Sequence, residues 1–107
     1  MSRANAIARA EAIFDDGTFF DLVTSWVSHP TESQNENCKD ALKIYLTEAI
    51  APYLENMGFT CRVADNPVNP RLPFLIAQRL EAEDLPTVLT YGHGDTVLAM
   101  DGRWREG

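Results

Sequence analysis

The sequence predicts an α/β layer, with N-terminal helices followed by a small sheet that one long amphipathic helix covers. Three observations carry this expectation. An apolar stripe at helical spacing runs through residues 38–57, shorter strand-like runs replace it after Gly58, and a compact apolar run at 87–91 leads into Gly92-His93-Gly94-Asp95. At 107 residues the chain has the size of one domain, residues 1–107, and its 45% hydrophobic content is that of a folded chain rather than a disordered one.

The first helix is expected over residues 4–14, closed by Asp15-Asp16-Gly17. A second starts at Thr18, where Thr18-x-x-Asp21 has the form of a capping box with Asp in place of Glu. Phe19, Leu22, Val23, Trp26 and Val27 give it one apolar stripe, and His29-Pro30 ends it because the residue before proline is driven out of the helical region. The third helix carries Cys38, Ala41, Leu42, Tyr45, Leu46, Ala49, Ile50, Tyr53, Leu54 and Met57 on one face, a stripe that must be buried against a core or a sheet. Pro52 lies within it and predicts a kink or short break, and Gly58 is a natural C-terminal cap.

Strands are expected at residues 59–63, 74–77 and 87–91, separated by a Pro- and Asn-rich loop and an acidic turn. These connections are too short for parallel crossovers, so the strands should pair mainly as antiparallel neighbours.

Composition narrows the partners. A formal net charge of -7 argues against nucleic acid, whose phosphates need clustered Lys and Arg, and equally against an anionic membrane surface. Arg9 and Glu11 interrupt the N-terminal apolar residues, so neither a secretory signal nor a membrane span is expected, and the location predicted is cytoplasmic. Cys38 and Cys61 do not form a C-x-x-C pair and sit on apolar faces, which predicts two reduced thiols.

The tetrapeptide at 92–95 admits two readings. Gly, His and Asp make good turn chemistry. Alternatively, residues two apart in an extended segment point to the same side, so Asp95 can accept a hydrogen bond from His93 and leave the second imidazole nitrogen for a metal. His29, at a helix end, is expected to be solvated, and Trp26 to be core. The Pro67, Pro70 and Pro73 run reads as a loop rather than a polyproline ligand, and Ser28-His29 lacks the oriented acid that a nucleophilic pair requires.

The order of elements, with "FFDLVTSWVSHPTES", "LENMGF", "TCRVAD", "PFLIAQRL" and "TVLTYGHGDTV", resembles the opening of the di-zinc exopeptidases and deacylases. That family includes acetylornithine deacetylase, succinyl-diaminopimelate desuccinylase, bacterial glutamate carboxypeptidase and aminoacylase. The resemblance spans essentially the whole chain, and its specific motif is His93-Gly94-Asp95-Thr96-Val97, followed by a "DGRW" stretch. The family often has Pro shortly after this Val, where the chain reads Leu98-Ala99, which leaves the subgroup open.

The resemblance implies that His93 binds one of two zinc ions and that Asp95 supports it in catalysis from behind. It further implies hydrolysis of a peptide or N-acyl amino acid, with two metals polarising the carbonyl and activating water and a glutamate moving protons. The family's bridging aspartate, Glu-Glu pair and remaining ligands have no counterpart in these residues. Residues 1–107 are therefore expected to be an N-terminal part of a metallopeptidase catalytic domain with an incomplete sheet, inactive by itself and binding zinc weakly or not at all. Its open sheet edge predicts a homo-oligomer. The rival expectation is a non-catalytic module that associates with itself or a partner through that edge.

Overall fold

The computed structural model describes residues 2–105. Helix α1 (Arg3–Asp15) follows from an alanine-rich stretch of high helix propensity, and the Ser2 hydroxyl caps it by accepting from the N–H of Asn5 at 3.2 Å. Gly17, at φ 86°, turns the chain into α2 (Thr18–Val27). The expected capping box does not form. Thr18 is the first residue inside the helix, and Asp16, two residues earlier, accepts the Thr18 N–H at 2.9 Å. The Thr18 side chain, and after it this N–H, hold the Asp16 carboxyl below its ordinary pKa. The two helices meet at their corner, where Phe14 and Phe19 stack at 6.1 Å.

The long amphipathic helix exists with an internal change of winding. A short 3-10 turn (Glu36–Cys38) leads into α3 (Lys39–Ile44), a π-helical stretch (Tyr45–Ile50) and then α4 (Ala51–Asn56). Pro52 explains the interruption that the sequence predicts. Its ring would strike the carbonyl four residues back and it has no N–H to donate, so the chain widens by one residue just ahead of it. The N–H of Ala51 accordingly reaches back five residues to the carbonyl of Leu46.

Helix α4 ends in a Schellman arrangement. The Phe59 N–H donates to Leu54 at 3.1 Å and the Gly58 N–H to Glu55 at 2.9 Å, with Gly58 left-handed at φ 88°. The backbone then enters β1 (Thr60–Ala64), which pairs antiparallel with β2 (Phe74–Gln78) in the register Cys61↔Ala77 and Val63↔Leu75. These four half-buried residues face one side of the pleat, and α4 packs on both strands. The intervening loop is shaped by asparagine turns: Asn66 Oδ1 accepts from Val68 and Asn69, and Asn69 Oδ1 from Arg71.

Helices and a two-stranded antiparallel sheet make the chain a mixed α/β structure. The third strand is a correction. Residues 87–91 form no ladder, and every one of them is exposed, Leu89 to 95%. An apolar run supplies the side chains of a strand but not the neighbouring backbone that its N–H and C=O groups require. Here β2 pairs only with β1 among the described residues.

The layer is thin. The apolar stripe buries Leu42, leaves Leu46 and Ile50 half-buried, and exposes Tyr53 and Met57; Ala51, outside the stripe, is also buried. The radius of gyration is 16.8 Å, against about 13 Å for a compact chain of this size. Cys38 and Cys61 are both free. Among the described residues, no helix is long and apolar enough to cross a membrane.

Candidate functional site

The Gly92-His93-Gly94-Asp95 segment is held by the loop after α2 rather than by the sheet. The N–H of Thr96 donates to the carbonyl of Thr31 at 2.9 Å, and Glu32 and Thr96 form an isolated parallel bridge. Glu32 adds a second tie, because its Oε1 accepts the N–H of Ala99 at 2.9 Å while Oε2 accepts the Asn35 amide at 2.7 Å. The Asn35 amide, and after it the Ala99 N–H, hold the Glu32 carboxyl below its ordinary pKa. Further along, the Trp104 indole donates to the carbonyl of Ala99 at 2.8 Å and closes a short loop.

Extended backbone sorts the side chains of this segment onto two faces. On one face His93 Nε2 lies 2.6 Å from Asp95 Oδ1, so the pair expected from the i, i+2 spacing is present. The same spacing extends one step back. The Tyr91 hydroxyl is 2.9 Å from His93 Nδ1, and the rings stand 6.2 Å apart. Tyr91 was legible by the same alternation, but the motif begins at Gly92 and draws attention away from it. His93 is exposed, whereas the Asp95 side chain is half-buried, so the carboxylate is the fixed member of the pair.

On the opposite face Gly94 approaches the ring of Tyr45 so closely that a Cβ would stand 3.2 Å from Tyr45 Cε1. Gly94 is therefore required by contact, while a Cβ on Gly92 would meet nothing within 4 Å. Between this face and α2 lies a cleft of about 280 Å³, with Val23, Trp26, His29 and Tyr45 on one wall and Gly94 and Thr96 on the other. His29 is not the solvated helix-end residue expected. It is half-buried, packed edge-on against Tyr45 with centroids 5.5 Å apart, and burial pushes the Tyr45 phenol pKa up. Trp26 is half-buried and stands edge-on to Tyr53 at 5.2 Å, whereas Trp104 is exposed.

The arrangement can hold one imidazole in a fixed orientation and offer one nitrogen. A zinc ion takes about three protein ligands in a catalytic site. Among the described residues, no three His, Cys, Asp or Glu side chains converge to hold a metal. The Asp95 carboxylate stands on one side of the His93 ring and the exposed Tyr91 hydroxyl on the other. No family model, curated protein or solved structure matches the chain.

Proposed function

We propose that the chain contributes to a zinc-dependent hydrolase of the di-zinc exopeptidase and deacylase kind, one that cleaves an amide bond in a peptide or N-acyl amino acid. The observation that carries this is the 2.6 Å contact between His93 Nε2 and Asp95 Oδ1, within the His-x-Asp-Thr-Val motif. In this proposal His93 is a ligand to one of two zinc ions. Asp95 keeps the proton on the nitrogen that faces it, so that the other nitrogen presents its lone pair. Bound zinc supplies Lewis-acid polarisation of the carbonyl and a nucleophilic water at neutral pH. Thr31 and Glu32 hold the segment in register while substrate enters from the exposed side of His93.

The remaining ligands and the proton-transferring glutamate are assigned to chain outside residues 1–107. A large apolar surface in a thin layer supports that assignment, since such a surface calls for cover by further structure. A cytoplasmic location belongs to the same proposal and is supported by the two free cysteines.

The test is amide hydrolysis by the product of the complete gene, using a panel of N-acyl amino acids and dipeptides in zinc-replete buffer. Release of amino groups that chelator abolishes and His93→Ala removes is the expected result. Asp95→Ala should cost about 10–100-fold in metal affinity or activity. Hydrolysis indifferent to chelator and to His93→Ala would overturn the proposal, as would no hydrolysis of any panel member.

The self-associating module remains a second reading because one observation favours it: the uncharged run at 87–91 is fully presented to solvent. A chain that associates through this run and shows no hydrolysis in that assay would have this second function.

A further inference from the structure

Thr31 is the one buried polar residue among those described, with 7% of its surface exposed. Its backbone is fully used: the N–H donates to the carbonyl of His29 at 2.9 Å, and its own carbonyl accepts from Thr96 at 2.9 Å. Its hydroxyl has no hydrogen-bond partner among the described residues, yet none of their side-chain oxygens or nitrogens is both sealed from solvent and unpaired. The hydroxyl therefore opens onto space. The space that Thr31 borders is the cleft of about 280 Å³ between α2 and residues 94–96. A buried hydroxyl has lost water and gained nothing from the protein, so an occupant of the cleft that bonds it would recover the loss.

The rest of the lining narrows the occupant. Trp26, His29 and Tyr45 border the cleft and are half-buried, and aromatic neighbours favour a flat ring set edge-on or offset against them. No lysine or arginine among the described residues borders it, and the chain carries a net charge of -7, so an anion there would be desolvated without a partner ion. The volume is just under the roughly 300 Å³ at which small-molecule sites begin, which suits one ring rather than a fused system. We propose that the cleft binds a neutral, single-ring aromatic molecule whose carbonyl oxygen accepts from the Thr31 hydroxyl. The cleft lies on the face of the segment opposite His93 and Asp95, so the proposal does not rest on any role of theirs.

Binding has a structural consequence. One wall belongs to α2 and Tyr45 and the other to residues 94–96, so a ring seated between them touches both and holds the segment in place. A ligand that binds only this arrangement stabilises it by mass action. Exchange of the Thr96 amide, which is tied to the Thr31 carbonyl, should slow as the cleft fills.

Benzamide is the probe, followed in proton–nitrogen spectra of the uniformly labelled chain, with toluene and benzoate as comparators that remove the acceptor and add a charge. Benzamide should give saturable shifts at the amides of Thr31, Tyr45, Gly94 and Thr96, with slower exchange at Thr96. Toluene should bind more weakly by roughly two- to tenfold, the worth of one neutral hydrogen bond, and benzoate more weakly than benzamide. Thr31→Val keeps the shape without the hydroxyl; it should lose the same factor for benzamide, leave toluene unchanged and melt no lower than wild type. Thr31→Ser, which keeps the hydroxyl, should retain the preference for benzamide. No saturable shift at these amides, or shifts centred on residues 87–91 instead, overturns the site. Toluene binding as tightly as benzamide, or equal benzamide affinity in wild type and Thr31→Val, overturns the role of the hydroxyl. Benzoate binding more tightly than benzamide overturns the neutral class of ligand.

Discussion

The Glu32 carboxylate accepts the backbone N–H of Ala99 at 2.9 Å, across 67 residues of sequence. With the Thr96-to-Thr31 bond and the Asn35 amide, this makes one loop side chain the anchor of the segment that carries His93 and Asp95. A pH dependence follows. The Asn35 amide and the Ala99 N–H favour the ionised carboxyl, so its pKa in the folded chain lies below the ordinary 4.5. A depressed folded pKa contributes stability that is present above the unfolded value and is lost as pH falls through the folded one. Protection of the Thr96 and Ala99 amides should therefore decline below pH 4.5, and Glu32→Gln should remove that step. Identical acid profiles for wild type and Glu32→Gln would show that another group anchors the segment.

The two glycines around His93 should respond differently to alanine. At Gly94 the added Cβ would sit 3.2 Å from the Tyr45 ring, inside the usual 3.5–4.0 Å of carbon–carbon contact. Tyr45 is backed by His29 and cannot retreat freely, so the segment must lift away from α3 and its π-helical continuation. Gly94→Ala should weaken protection at Thr96 and lower the melting temperature. Gly92→Ala meets nothing within 4 Å, and should leave stability unchanged or raise it by about 0.4–1 kcal/mol through the unfolded chain. Equal melting temperatures for the two variants would contradict the contact argument.

Gly58→Ala tests the helix-to-strand switch. Its Cβ would make only ordinary contact with Arg79, the nearest atom at 3.7 Å, so the cost comes from the φ of 88° rather than from crowding. A left-handed non-glycine residue costs roughly 1–2 kcal/mol. Calorimetry should show a loss of that size with the β1–β2 pairing intact, and a neutral result would mean that the turn relaxes.

Local rules made much of this structure legible, and long-range pairing accounts for what was not. The stripe through Leu42, Leu46 and Ile50, the disturbance ahead of Pro52 and the cap at Gly58 each depend on residues within one or two turns. The antiparallel pairing of β1 with β2 followed from the short connection between them. Residues 87–91 misled because strand composition does not specify a partner, and pairing went instead to Thr96 and Glu32. The capping box misled by one position, since Asp16 lies closer to the free N–H of Thr18 than any side chain within the helix. At the site, alternation alone placed His93 beside Asp95, and the same rule extends to Tyr91. The contacts of Gly94 with Tyr45 and of Glu32 with Ala99 join residues far apart in sequence, for which periodicity carries no signal.

Residues 86–92, Pro-Thr-Val-Leu-Thr-Tyr-Gly, contain no charge, whereas the acidic turn before them carries Glu81, Glu83 and Asp84. Val88 and Leu89 are exposed to 82% and 95%, on backbone whose N–H and C=O groups join no ladder. In the self-associating reading this run is the expected contact, because two identical uncharged strands pair without like-charge repulsion. The rest of the molecule resists the approach, since each copy carries a net charge of -7. Salt should therefore promote association by shortening the screening length, which is about 10 Å at 0.1 M and about 3 Å at 1 M. Light scattering is expected to show a mass that rises with protein concentration and rises further with salt. Leu89→Lys should return the chain to a monomer at the same concentrations, while Glu81→Lys, outside the run, should not. A monomer under all of these conditions, or association unaffected by Leu89→Lys, would show that residues 86–92 are not the surface by which copies meet.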